Sequence, residues 1–291
     1  VWKLWFFTLL WMTASNAMAL RADLNGDCRV DFLDLAILAS EWMQEDEDCM
    51  SNRYATFDGS TGYVAVPNAA ALNFGTGDFS ISFWTEHLNT NFSQIMGKHS
   101  YAAPGWLVYY SADEGWKLYL NADASPTTVL AGGVADGTWK HVAFTVDRYG
   151  VGYGYVNGIR SPFTVMLTSG DLDVVNDFNI GANPGVNFFA GSLDDLRIYK
   201  KALSEAEVAA IYNNGNGKKY SADDAGAAAF VMEFDHDFVA DEIFSTTTPQ
   251  LTGTRTGDVT ISDGGVPLDH YPTVISAPSG TGVLPAIRRN L

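Results

Sequence analysis

The sequence predicts an all-β fold, an antiparallel sandwich, and three observations carry that prediction. Between Tyr54 and Gly181, short runs in which apolar and polar residues alternate recur every 10 to 30 residues, each bounded by Gly, Asp, Asn or Pro; that is how strands separated by turns read. No amphipathic helix pattern stands between the runs, which argues against the strand–helix alternation of a parallel sheet. The segment Tyr155-Val156-Asn157-Gly158-Ile159-Arg160 places an Asn-Gly pair between two such runs, the strongest short hairpin signal.

With 291 residues, 47% hydrophobic and 18% charged, the chain has enough apolar material for one large domain of roughly 150 residues plus smaller pieces. Its 17 basic residues face 34 acidic ones, a formal charge of −17. Phosphate backbones are bound by clustered Lys and Arg, so this balance argues against a nucleic-acid partner. The acidity reads either as a solubilising surface or as carboxylates that hold cations.

Taken in order, the chain opens with Lys3 and an apolar run of about nine residues, short of the ~20 that span a bilayer. Ala17-Met18-Ala19 follows as a small-x-small cleavage site, so residues 1–19 read as a secretory signal peptide. No later stretch is long and apolar enough to anchor the chain in a membrane, and a secreted, extracellular product is expected.

Residues 20–50 form a second unit. Asp23, Asn25, Asp27, Asp31 and Asp34 occupy positions 1, 3, 5, 9 and 12 of a loop whose seventh carbonyl belongs to Arg29. That is the ligand spacing with which an EF-hand loop wraps one calcium ion. Cys28 stands where such loops place Gly, and Asp34 replaces the bidentate Glu. Aspartate at the last position, followed by the apolar helical face of Phe32, Leu35, Leu38, Ala39 and Trp42, resembles half of a type I dockerin. Residues 44–75 hold no second copy, which argues against cohesin docking and for a calcium-stapled knob. The two cysteines, Cys28 and Cys49, flank this unit, and export makes them candidates for a disulfide.

After a linker over residues 44–53, strands are expected at Ala55 to Gly59 and Gly62 to Val66, as short edge strands around a turn. More follow at Phe79 to Trp84, Trp106 to Tyr110, Trp116 to Leu120, Trp139 to Val146, Tyr153 to Arg160 and Phe178 to Gly181. In the closing segment, Leu196 and Ile198 alternate with Asp195, Arg197 and Tyr199 as in a strand with one face on a core. Ser204 then starts a helix. Glu207 three residues on completes a capping box, and Leu203 can meet Val208 as a hydrophobic staple. Val208, Ile211 and Tyr212 form the buried stripe, and Gly215 is placed to stop the helix. Residues 216–291 read as irregular, with one strand at Phe230 to Phe234; a partial β module and a flexible extension both remain open.

In order, Phe57-Asp58-Gly59, Phe79 to Trp84, Gly137-Thr-Trp139-Lys-His141-Val142-Ala143, Tyr155-Val-Asn157-Gly158, Ile180-Gly181-Ala182 and Gly191-Ser-Leu-Asp-Asp-Leu-Arg-Ile-Tyr199 resemble a laminin-G-like, concanavalin-type jelly-roll domain over residues 52–215. The resemblance implies a jelly-roll sandwich and calcium at its rim, held by Asp58, Asp194 and Asp195. Read by themselves, Asp58 also suits its own turn and Asp195 suits a pair with Arg197. Ligand contacts in such domains use aromatics on rim loops or a sheet face, which makes Trp106, Tyr109, Tyr110 and Trp116 candidates, although most aromatics in a sandwich are core.

The fold hosts hydrolases and binding modules alike. Glucanases of this type carry Glu-x-Asp-x-x-Glu on one strand, and Tyr54 to Gly215 lacks that spacing. Glu233-Phe-Asp235-His-Asp237 comes nearest and falls outside the domain. His99 and His141 are accompanied by no nucleophile pattern, and His141 reads as a packed structural residue. The expected function is a secreted, non-catalytic protein that recognises glycan or another extracellular surface. The alternative is an accessory component or divergent hydrolase of a polysaccharide-degrading system.

Overall fold

The computed structural model describes residues 52–263, apart from 68, 88–91, 101–102, 123–124, 168–169, 184, 221–227, 236–240 and 248–249. The expected signal peptide, the calcium loop of Asp23, Asn25, Asp27, Arg29, Asp31 and Asp34, and the Cys28–Cys49 pair lie outside the described residues.

In chain order the elements are β1 (Arg53–Asp58), β2 (Tyr63–Val66), β3 (Phe79–His87), β4 (Ser93–Ser100), β5 (Ala103–Ser111), β6 (Gly115–Ala122), β7 (Ser125–Gly132), β8 (Lys140–Val146) and β9 (Val151–Val156). They continue with β10 (Ile159–Met166), β11 (Phe178–Ile180), β12 (Ala190–Tyr199), α1 (Glu205–Tyr212), β13 (Phe230–Met232), β14 (Glu242–Phe244), β15 (Thr252–Thr256) and β16 (Val259–Asp263). Among the described residues these form two eight-stranded sheets. The first has the order β10-β9-β8-β3-β12-β1-β16, with β13 added to β12; the second runs β14-β15-β2-β11-β4-β5-β6-β7. All pairings among these strands are antiparallel.

The core lies between the sheets and follows from alternation. Phe79, Ile81 and Phe83 of β3 and Val142, Phe144 and Val146 of β8 are at most 1% exposed, as are Trp106 and Val108 of β5 and Trp116 and Leu118 of β6. Trp106 packs 5.5 Å from Phe178 and 6.4 Å from Phe79, ring centre to ring centre, and so joins the two layers. The Asn157-Gly158 turn is present as expected: Val156 pairs with Ile159, and both turn residues have positive φ, 52° and 71°, the backbone of a type I′ turn.

The helix forms as expected at its start. Ser204 Oγ accepts from the Glu207 backbone N–H, and the Glu207 side chain accepts from the Ser204 backbone N–H at 2.8 Å. Val208 and Ile211 are buried with Leu203, Ala143, Tyr155 and Tyr199, so α1 seals the outer face of the first sheet. Its end differs from expectation. Asn213, in the left-handed conformation at φ 48°, terminates it, since Asn tolerates that region; Gly215 lies one short 3-10 turn further on.

Two larger corrections concern topology. β1 and β2 are interior strands in different sheets: β1 lies between β12 and β16, and β2 between β15 and β11. What covers their edges is the segment expected to be irregular, because β15 and β16 follow β2 and β1 in register. The described part of residues 216–291 therefore belongs to the two sheets of the sandwich. Two further strands, β4 and β7, were not expected. Both belong to pairs with register shifts, between Gln94 and Met96 and between Trp116 and Lys117, and a bulge breaks the period-2 pattern by which a strand is read.

Candidate functional site

Outside the core, polar and aromatic side chains gather on two surfaces: the helix-covered face of the first sheet and the outer face of the second.

On the first sheet, β12 carries a bulge. Asp194 pairs with Trp84 and Arg197 with Ser82, so Asp195 and Leu196 together oppose one residue, and Asp195 takes a positive φ of 50°. The bulge turns Asp195 toward Arg197, whose Nε and Nη2 donate to Asp195 Oδ1 and Oδ2 at 2.8 and 2.6 Å. Nη2 also donates to the Lys218 carbonyl, tying the chain after α1 to the sheet. Glu233, just past β13, is held up to about 7 by burial and by the Asp195 and Asp235 carboxylates, with Arg197 opposing. His141 Nε2 lies 2.8 Å from Ser82 Oγ under the rings of Trp84 and Tyr212. Burial, aided by Arg197, lowers His141 to about 3, so the ring is neutral. The Ser82–His141 pair is 1% and 0% exposed, which suits a packed structural pair and closes it to a substrate.

The rim calcium set does not assemble. Asp58 Oδ1 accepts from the backbone N–H groups of Ser60, Thr61 and Gly62 at 3.0, 2.9 and 2.7 Å, and Oδ2 accepts from Thr61 Oγ1 at 2.8 Å; the carboxylate is consumed by its own turn. Asp58 pairs with Ala190 across the ladder, four residues from Asp194, or roughly 13 Å at ~3.3 Å per residue. Asp195 is committed to Arg197. Among the described residues, no group of three His, Cys, Asp or Glu side chains is placed to hold a metal ion.

Trp106, Tyr110 and Trp116 are likewise corrected as ligand contacts: they are 1%, 2% and 0% exposed, on the inward parity of β5 and β6. Tyr110 donates no surface to solvent and instead packs on His87 at 4.6 Å and Trp116 at 5.2 Å. Tyr109, one residue away, has the opposite parity and is the member of the set that reaches the outer face.

Among the described residues the one α-helix, α1, packs on the first sheet. On the outer face of the second sheet Tyr109 is half-buried. Phe92, 48% exposed, packs 5.0 Å from it, and Lys117 Nζ lies 5.4 Å from the ring centre. Tyr119 comes next on β6; it pairs with Leu107, and Tyr109 with Lys117, so the two tyrosines are diagonal neighbours about 7 Å apart.

Beside these aromatic rings the sheet turns polar. Gly97 pairs with Leu107 on one side and with Asn179 on the other. A Cβ at Gly97 would approach Leu107 Cβ to 2.8 Å, so only glycine fits. Across this gap, Gln94 Oε1 meets His99 Nε2 at 3.1 Å, while Gln94 Nε2 donates to the Ala182 carbonyl at 3.3 Å. Asn179 projects outward between the fully buried Phe178 and Ile180, and its Oδ1 is recessed and accepts no hydrogen bond. Phe92, Gln94, Tyr119 and Asn179 were missed by sequence reasoning. For Tyr119 and Asn179 the signal was available, because each is the polar-parity residue between two core positions.

Residues 58–209 match the family model of the concanavalin A-like lectin/glucanases superfamily. No curated protein matches the chain. Among solved structures, a Bacteroides ovatus ATCC 8483 protein proposed to bind carbohydrate is 19% identical with a TM-score of 0.58, over 75% of this chain and 62% of that one. The heptameric SAP-like pentraxin of Limulus polyphemus is 14% identical with a TM-score of 0.51, over 75% and 97%. The chain thus spans less than two thirds of the length of the Bacteroides ovatus protein.

Proposed function

Because the chain belongs to the concanavalin A-like lectin/glucanases superfamily, we propose that its sandwich is a non-catalytic carbohydrate-binding module that presents the outer face of the second sheet to a glycan. The observation that carries this reading is Tyr109 on the outer face of the second sheet, with Phe92 5.0 Å away and Tyr119 its diagonal neighbour on β6. An aromatic ring packed on its neighbours offers apolar surface to the C–H side of a sugar at little entropic cost. His99 and Asn179 are partly exposed beside it, and a mostly apolar surface with a few placed polar groups is what ligand sites share. The carbohydrate-binding role proposed for the Bacteroides ovatus protein points the same way. Asp113 and Glu114 are the carboxylates nearest Tyr109, and both are paired with Lys117; the reading assigns this face binding without hydrolysis.

The same proposal takes the protein to be secreted, with the loop of Asp23 to Asp34 as a calcium site that folds residues 20–50 when loaded. A glycan array read alongside a reducing-sugar assay tests the main reading: binding without sugar release is expected, and release of reducing ends would overturn it. Calorimetry tests the loop. Wild-type protein is expected to take up calcium and Asp34→Ala to lose most of that affinity; unchanged binding in the variant would reduce the loop to an acidic turn.

A further inference from the structure

Lys98 breaks the pattern of its strand. On β4 it pairs with Trp106 as Met96 pairs with Val108, and all four residues are at most 1% exposed. Lysine is almost never buried to that degree without a close ionic partner. Here Nζ instead meets two neutral oxygens, donating to Asn73 Oδ1 at 2.6 Å and to the Val174 carbonyl. Since a C=O bond measures about 1.23 Å, that contact puts Asn73 Cγ roughly 3–3.8 Å from Nζ, near the separation of groups about to react. Asn73 is fixed in place by its neighbours. Its backbone N–H donates to the Ala70 carbonyl at 3.1 Å, Leu72 is 1% exposed, and Phe74 stacks on Phe79 at 4.1 Å and lies 5.6 Å from Trp106. We propose that Lys98 and Asn73 form a covalent cross-link, an isopeptide bond made by attack of the lysine amine on the asparagine carboxamide, which joins β4 to the connection between β2 and β3.

The chemistry needs a neutral amine, a held carbonyl and a proton carrier. Burial lowers Lys98 from the ordinary lysine range, with the Asp173 and Asp177 carboxylates opposing, and a desolvated lysine supplies the amine that a nucleophile requires. Asp173 is docked beside Asn73: its Oδ1 accepts from the Gly75 N–H at 2.6 Å, and the Leu172 N–H donates to the Gly75 carbonyl at 3.0 Å. It is the carrier, taking a proton from the attacking amine and returning it to the departing nitrogen. A bond forms between Nζ and Cγ, and the bond from Cγ to the amide nitrogen breaks. That nitrogen leaves as ammonia, and the proton that a charged Lys98 brings leaves with it. Nothing is oxidised or reduced, so no co-reactant is needed. The product replaces a buried ammonium with a neutral amide, which removes the cost of holding a charge between the sheets. It also ties residues 25 positions apart within a sandwich whose residues 52–263 contain no cysteine.

Intact mass spectrometry of the full chain, folded by near-UV circular dichroism and then denatured, tests this. Once the N-terminus is assigned, the chain is expected to be lighter than its sequence by one ammonia. Chymotrypsin, which cuts between the two residues after Phe79 and Phe83, should release a branched peptide that carries Asn73 and Lys98 together, and trypsin should fail to cut after Lys98. Lys98→Arg and Asn73→Ala are expected to restore the full mass and to lower the thermal midpoint. Asn73→Asp should give the same branch with loss of water in place of ammonia, and Asp173→Asn should leave most chains unjoined. A folded wild-type chain at the full mass of its sequence would overturn the proposal. So would ammonia lost within one linear peptide, the mark of cyclisation at an Asn-Gly pair. Complete joining in Asp173→Asn would remove the role given to that carboxylate.

Discussion

Trp106 and Tyr109 lie three residues apart on one strand and should respond in opposite ways to truncation. Trp106 is 1% exposed and touches the rings of Phe74, Phe79 and Phe178, so Trp106→Ala leaves a cavity between the sheets and is expected to cost about 3–5 kcal/mol. Tyr109→Ala removes a half-buried ring from the surface, with an expected cost of about 1 kcal/mol and a marked loss of glycan affinity. Urea unfolding of both variants checks the order, and a larger loss for Tyr109 would place that ring in the core. Glu233 supplies a pH dependence. Its carboxyl is raised from 4.5 to about 7, chiefly by burial and then by Asp195 and Asp235. The folded chain therefore holds this proton more tightly than the unfolded chain does. The resulting stabilisation is complete below about pH 4.5, declines as the pH rises, and is gone above about pH 7. Unfolding midpoints measured from about pH 5 to 8 should fall with pH in the wild type and fall less in Glu233→Gln; parallel profiles would refute the assignment.

Elements are held by a few local devices whose removal is measurable. The box between Ser204 and Glu207 satisfies backbone N–H groups that the first turn of α1 leaves without helical partners. Ser204→Ala is expected to cost about 1 kcal/mol, read as a lower thermal midpoint with the sheets otherwise intact. The bulge in β12 is the more demanding device. Asp195→Ala strips the buried Arg197 guanidinium of its bidentate partner, and an uncompensated buried charge costs about 3–5 kcal/mol. A variant Asp195→Asn that keeps the bulge conformation but loses the charge should recover only part of that; equal stability of Asn and wild type would show that the ion pair is dispensable.

For the whole molecule, the family model ends at residue 209 but the sandwich does not. β16 covers the free edge of β1, β15 covers β2, and β13 adds Phe230, Val231 and Met232, all fully buried, beside β12. A chain ending at Gly215 would expose two interior strands as edges, the feature that invites aggregation. It is expected to be insoluble or loosely packed, whereas a chain ending at Asp263 should fold. Size-exclusion chromatography and near-UV circular dichroism on the two truncations decide this, and a monomeric, cooperatively unfolding product ending at Gly215 would show the last strands to be ornamental.

The sequence by itself determined the sandwich, its hairpin at Asn157-Gly158 and the capped start of α1, because period-2 alternation, turn chemistry and capping are local patterns that need no partner to be read. It also held both readings of Asp58 and Asp195, and the structure decided for the turn and the ion pair. Only the tertiary structure decided which parity of β5 and β6 faces the core, since Trp106, Tyr109, Tyr110 and Trp116 are all aromatic and alternation between two apolar faces has no contrast. It alone assigned the segment after Gly217 to both sheets, because β13 to β16 are three to five residues long and become strands by pairing with edges more than 150 residues earlier in the chain for β15 and β16. And it alone assembled the candidate site, because Phe92, Tyr109, Tyr119 and Asn179 come from separate strands and connections and meet only when register lays one beside the next.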